Sequence, residues 1–312
     1  MKKPPSHTRR FNTLTQSDLA ADSSVLFALD AKEQRAQLGL WQQMLNSDSM
    51  RCLAIEKQES ESITIRDRGQ SPAAVALRDE KALERVLACD CLYVDISGLA
   101  HHVWAPILRV ARRVVKKLRA VYIEPTSYRL HPSPASPMLF DLSEEFGGLQ
   151  PLPGFARLSG PVDDNKVLLV ALLGFEGNRP LQLAFQLDVA PPPRVIPVIG
   201  VPGFRVEYPA LAIACNRAFL SEYRAHSELR FARASCPFEV AFLLAELQRE
   251  YPEHYMYLLP VGTKPHSLGA IWYAIEHPNT TEIVYDHPRI KPGRTSGSGL
   301  IHVYSLLGDP DD

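Results

Sequence analysis

Hydrophobic positions along the chain fall into short apolar runs separated by longer stretches with helical spacing. In the first half, Val25 to Leu29, Cys52 to Ile55, Cys91 to Asp95 and Ala120 to Ile123 read as buried strands. Between them, Glu33 to Leu45 carries Ala36, Leu38, Leu40, Trp41 and Leu45 at helix-compatible spacing. Asp79 to Ala88 places Leu83, Val86 and Leu87 on one face. Val103 to Leu118 groups Ile107, Val110, Ala111, Val114 and Leu118, leaving Arg112, Arg113, Lys116 and Lys117 on the wet side. Strands and helices in alternation imply βαβ units and a parallel sheet.

The rhythm breaks from Glu124 to Lys166, a segment rich in proline and serine (HPSPASP, QPLPGF) that reads as a long ordered loop or flap. It then resumes: a strand from Val167 to Leu173, a helix from Gly177 to Leu187, and a strand from Val195 to Ile199. An amphipathic helix follows from Pro237 to Glu250, with Val240, Leu243, Leu244 and Leu247 as its apolar stripe. Tyr255 to Val261 is a strand, Pro265 to Ile275 a helix and Thr281 to Tyr285 a strand. A basic, glycine-rich stretch from His287 leads into the strand-like IHVYSLL.

The expected fold class is α/β: mostly parallel, doubly wound Rossmann-like sheet or sheets, with a Pro-rich insertion between two similar halves. Residues 1–22 form a polar leader expected to be disordered, 23–124 a first half, 125–166 a linker or flap, and 167–312 a second half. The halves match in order. DAKEQR (Asp30 to Arg35) and FEGNR (Phe175 to Arg179) each follow an early strand, and DISGL (Asp95 to Leu99) and GTKPH (Gly262 to His266) each follow a later one. An internal duplication would produce this, and so would two βαβαβ layers of one fold.

Composition narrows the class without fixing it. Of 312 residues, 46% are apolar and 22% charged, the balance of an ordinary globular protein. The 34 basic and 35 acidic side chains nearly cancel, so no global attraction to nucleic acid or membrane follows, a local basic patch aside. No apolar run approaches the roughly 18 residues needed to cross a bilayer. The basic start, MKKPPSHTRR, runs into polar sequence rather than a signal-peptide core. A cytoplasmic location without membrane contact is the expectation. The five cysteines include no CxxC pair, which argues for reduced core thiols rather than structural zinc. Neither a metal nor a cofactor is expected.

Four turns hold the residue types that chemistry needs. In LLPVGTKPHSLGAI, an apolar strand runs into Gly262 and a helix begins near Pro265, where proline is well tolerated. Backbone N–H groups at such a junction favour an anion. Lys264 adds a charge, Thr263 and Ser267 add hydroxyls, and His266 adds a donor or acceptor. In LYVDISGLAHHVW, Asp95 at the end of a buried strand must cap a helix, meet a ligand or pair with a base, and Ser97 and Gly98 suit a tight turn. His101 and His102 suit acid–base work, although neighbours on a helix diverge too far to share a metal.

The third turn, LLGFEGNRP, places Glu176 and Arg179 on one face. They form either an ion pair or an arginine that grips phosphate beside an orienting carboxylate. In the fourth, IGVPGFRVEYP, Gly200 and Gly203 flank Pro202 and let backbone approach a ligand, with Arg205 just beyond. The tail segment adds Arg289, Lys291, Arg294, Thr295 and Ser296, which read as a mobile loop or as a cover for anionic cargo; Asp286 and His287 precede it. No P-loop, GxSxG, HExxH or GxGxxG motif is present, and IEKQESE (Ile55 to Glu61) lacks the ExK step of a nuclease.

At VDISGL and at PVGTKPHSLGAI the chain resembles the CARF-type Rossmann sensors of prokaryotic antiviral systems. The resemblance implies a nucleotide-phosphate pocket lined by Gly262, Thr263 and Lys264, with Asp95, Ser97 and Gly98 beside it. It also implies cyclic oligonucleotide ligands and a homodimer. The sequence departs from that group in carrying Val261 where a second glycine would stand. No effector module is recognisable, so a separate effector protein would supply the output. The leading expectation is a nucleotide-binding sensor or regulatory subunit. Its rivals are an enzyme acting on nucleotides or nucleosides, with Glu176, Asp95 or His266 as acid–base groups, and a structural partner in a larger complex. All of them require the turns to gather on one rim.

Overall fold

The structure, a computed structural model, describes residues 7–20, 22–37, 39–46, 50–135, 138–156, 163, 166–187, 189 and 193–308. Leu38 of the first helical pattern, residues 1–6 of the leader and 157–162 of the linker lie outside that set. In chain order the elements are β1 (His7–Phe11), β2 (Ser23–Ala28), α1 (Gly39–Leu45), β3 (Arg51–Gln58), β4 (Ser62–Asp67) and β5 (Ala73–Ala76). Then come α2 (Glu80–Leu87), β6 (Cys89–Asp95), α3 (His101–Val114), β7 (Val115–Ile123), β8 (Ser127–Tyr128), β9 (Leu130–Ala135), β10 (Met138–Phe140) and β11 (Ser143–Phe146). The next stretch holds β12 (Val167–Leu172), α4 (Asn178–Gln186), β13 (Arg194–Gly200), α5 (Tyr208–Cys215), α6 (Arg217–Glu222) and β14 (Arg230–Ala232). It is followed by α7 (Pro237–Glu250), β15 (Tyr255–Pro260), α8 (Lys264–Glu276), β16 (Thr281–Ile283), β17 (Pro288–Ile290), β18 (Thr295–Ser296) and β19 (Ile301–Leu307).

These elements divide into two compact units, Met1–Tyr128 with Pro292–Asp312, and Arg129–Lys291. The first is built on an eight-stranded sheet in the order β1-β19-β7-β6-β2-β3-β4-β5. Its centre, β7-β6-β2-β3, is parallel, and every residue of β2 is buried, as expected of a strand covered on both faces. The flanks are antiparallel: β4 and β5 on one edge, β19 and β1 on the other. This sheet is therefore mixed, where the sequence pattern implies mostly parallel strands. Part of the leader is ordered, since β1 pairs with β19 and a 3-10 turn spans Gln16–Asp18. The strand IHVYSLL, grouped by sequence with the second half, lies between β1 and β7 of the first sheet.

Two helices in this unit are shorter than their patterns. Of Glu33 to Leu45, only Gly39–Leu45 is α-helical, and Gln34–Ala36 is a 3-10 turn. Arg35 explains the break: it is buried, bonded to Glu33 and to the Ile123 carbonyl, so its backbone follows the side chain's partners. The helix expected to reach Leu118 stops at Val114, and β7 starts at Val115. Leu118 pairs with Leu92 across the sheet, and Lys116 meets Asp90 at 3.0 Å. Ladder pairing with β6 on one side and β19 on the other overrides the helical spacing.

The second unit carries a five-stranded, all-parallel sheet in the order β14-β13-β12-β15-β16. Counted along the chain these strands stand in the order 3-2-1-4-5, so the direction of winding reverses between β12 and β15. All six residues of β12, VLLVAL, are buried. Helix α4 packs with α6, and α7 packs with α8. Gly269 permits the second contact: a Cβ there would overlap the Pro237 carbonyl and lie 2.9 Å from Val240. Part of the Pro-rich segment is strand rather than loop, with β9 and β10 pairing as a hairpin and β11 pairing with β17. The sequence pattern missed β4, β5, α5 and α6. No helix among the described residues is long and apolar enough to cross a membrane.

Candidate functional site

Parallel strands release their chains at one edge, so within each unit the turns after the strands share a rim. The candidate residues are divided between the two units. Asp95, Ser97 and Gly98 follow β6 in the first unit, whereas Glu176, Arg179, Gly203, Arg205, Gly262, Thr263, Lys264, His266 and Ser267 lie in the second. Two sheets, rather than one, supply the strands that carry them. The two turns likened by sequence do hold equivalent positions, since β6 and β15 each adjoin the first parallel strand of their unit across the reversal.

The first unit's turn is consumed by its own packing. Asp95 is 1% exposed; one carboxylate oxygen accepts from the Trp41 indole at 2.8 Å and the other from the Ser97 amide at 2.9 Å. Ser97 Oγ accepts from the Ile123 amide at 3.0 Å. Gly98 is needed because a Cβ would stand 2.9 Å from that of Ala31 and 3.2 Å from that of Ala28. His102 contacts the Glu59 carbonyl at 3.0 Å, beside the β3–β4 hairpin that IEKQESE forms. The basic tail is tied down too. Arg294 and Thr295 both donate to Glu33, which also receives Arg35, and Ser296 bonds Ser127.

In the second unit, Gly174 and Gly262 meet at the reversal. A Cβ on Gly174 would lie 2.8 Å from the Val261 carbonyl, and one on Gly262 would lie 2.9 Å from the Leu172 carbonyl. The two turns thus touch through backbone, and helix α8 starts directly from one of them. Thr263 caps that helix, accepting from the His266 amide and donating to the Ala234 carbonyl at 2.8 Å. Ser267 donates to the Pro260 and Thr263 carbonyls, both at 3.2 Å. His266 is fully buried against the Arg233 carbonyl, and burial pulls its pKa down to about 4. Burial that disfavours the charged form leaves the ring turned to the protein interior rather than to solvent. Lys264, the first residue of α8, is 8% exposed.

Arg179 is committed to the protein. Its guanidinium forks onto Asp286 at 2.9 and 2.7 Å and meets Glu176 at 3.1 Å, with the rings of Phe146 and Tyr285 within 6 Å. Burial alone would lower its pKa, but the two carboxylates outweigh that and hold it above its ordinary value. The ion-pair reading of Glu176 and Arg179 is what the structure shows, with Asp286, singled out separately in sequence, as the stronger partner. Arg205 pairs with Glu207 at 2.8 Å, and Gly203 is packed against Pro209 and Tyr208. Phe175, between Gly174 and Glu176, stacks on Phe140 of the hairpin at 4.1 Å and meets Tyr208 edge-on. Lys291 and Arg289 pair with Asp141 and Glu144.

All five cysteines are free thiols, and burial pushes the pKa of Cys52, Cys91 and Cys215 upward. Among the described residues, no three His, Cys, Asp or Glu side chains gather as a metal site. Sequence reasoning missed Gly174 and the Glu33 cluster. An apolar strand ending in glycine was the available signal for the first; the second joins residues some 260 positions apart. Together these features define a mixed α/β chain whose second unit presents a glycine-lined reversal beside a capped helix start. No protein-family model matches the chain, and no curated protein matches it.

Proposed function

We propose that the second unit binds a nucleotide or other phosphate-bearing small ligand at the β12–β15 reversal. On this reading the chain is a nucleotide sensor or regulatory subunit in prokaryotic defence. The observation that carries the reading is the backbone contact of Gly174 with Gly262 at the start of α8. The strand order is the one found in Rossmann-like, doubly wound sheets, where ligands sit outside the carboxyl ends of the strands at the reversal. A helix start favours an anion, and Lys264 lies in its first turn. The resemblance to CARF-type sensors supplies the cyclic oligonucleotide, the homodimer and the separate effector as further parts of the proposal.

Calorimetry with a panel of linear and cyclic nucleotides tests it. Lys264→Met keeps the apolar stem and removes the charge; it is expected to weaken binding about ten- to a hundredfold, the worth of one charge-assisted bond. Flat traces across the panel from folded protein would sink the reading. Mass spectrometry of the recovered nucleotides should find them unchanged.

A further inference from the structure

The first unit holds a cleft of about 600 Å³, within the range of small-molecule sites. Its position follows from the shortened helix. Phe11, Ile301 and Ile123 stand side by side across β1, β19 and β7 at the carboxyl edge of β7. Helix α1 has only seven residues, because the buried Arg35 holds the preceding segment in a 3-10 turn. The gap left between α1 and the loop after β1 is this cleft.

Its lining is chemically specific. Leu40, Met44 and Ile301 supply an apolar floor, while Asn12, Gln16 and Gln43 supply carboxamides. Thr13 and Ser298 add hydroxyls, whereas that of Thr15 is held by Asp18 and Ser17, and no charged side chain lines the cleft. Among the described residues, none of the three carboxamides has a hydrogen-bond partner in the protein. Each offers an adjacent donor and acceptor, the pattern that reads the edge of a nucleobase, and the thioether and leucine floor suits the face of a flat ring. An anion would find no countercharge here.

We infer that this cleft is a second binding site, for an uncharged nucleoside or a similar base-bearing compound. It goes beyond the phosphate site of the other unit and stands without it. A nucleoside carries no phosphate for the α8 turn to hold, so the two proposals fail separately.

The test is calorimetry of the full chain with adenosine, guanosine, cytidine and uridine, each beside its 5′-monophosphate. At least one nucleoside is expected to bind one-to-one, and its monophosphate to bind at this site no more tightly. Asn12→Ala, Gln16→Ala and Gln43→Ala remove exposed side chains, so the fold should persist, which circular dichroism verifies. Each is expected to weaken nucleoside binding about fivefold, and the triple variant to abolish it. The inference is overturned if no nucleoside binds at millimolar concentration to folded protein, or if the triple variant binds as the parent does.

Discussion

Arg179→Met is expected to unfold the second unit far more readily than any surface change would. The arginine side chain is 7% exposed and its partners Asp286 and Glu176 are 5% and 14% exposed, so solvent screens the cluster little. Removing the cation strands two enclosed carboxylates, at a cost of about 3–5 kcal/mol for a broken buried pair. With a urea dependence of about 2 kcal/mol per molar, the midpoint should fall by about 1.5–2.5 M. Arg179→Lys should lie between, because an ammonium cannot reproduce the fork onto Asp286. Arg179→Met combined with Asp286→Leu should recover part of the loss, because the more enclosed of the two stranded carboxylates goes as well while Glu176 stays. Hydrogen exchange across a urea series, followed on β12 and β15 peptides, isolates this unit from the first. A single variant within about 1 kcal/mol of the parent, or a double variant no better than the single, would refute the reasoning.

Two further outcomes follow from the same unit. His266 has a pKa near 4 when folded against an ordinary 6.5, so the unfolded chain takes up its proton first as pH falls. Its contribution is complete above about pH 6.5, drains on acidification and stops changing below about 4, with about 2 kcal/mol lost by pH 5. His266→Gln should abolish that part of the slope, and urea midpoints at pH 7.5 and 5 that shift equally in both proteins would contradict it. Gly269→Ala should cost about 1–3 kcal/mol despite the better helix propensity of alanine, because α7, which carries the Pro237 carbonyl, must move away from the new methyl on α8; a stabilised variant in thermal unfolding would show that the helices have slack.

Periodicity found the elements whose own residues determine them. The apolar runs of β12 and β15, and the helix from Pro237 to Glu250, stand close to where the pattern puts them. It failed where distant partners decide. Arg35 breaks a helix for the sake of the Ile123 carbonyl, 88 residues on, and Val115 to Leu118 becomes strand because β6 and β19 are there to pair with it. The candidate site was half legible for the same reason. The GTK turn and its cap are local and were readable. The use of Arg179 by Asp286, and the sealing of the Asp95 turn by Trp41, Ala28, Ala31 and Ala36, depend on tertiary neighbours that spacing does not encode.

The placement of β19 has a consequence during synthesis. The second unit is one continuous stretch, complete once Lys291 has emerged from the ribosome, and can fold then. The first cannot: among the described residues the one strand that pairs with β1 is β19, and β7 keeps an open flank until Ile301–Leu307 is made. The half of the protein translated first is therefore the half finished last. Until then the flank of β7, in the parallel centre of the sheet, lies open to neighbouring chains, and the arrival of a single strand covers it.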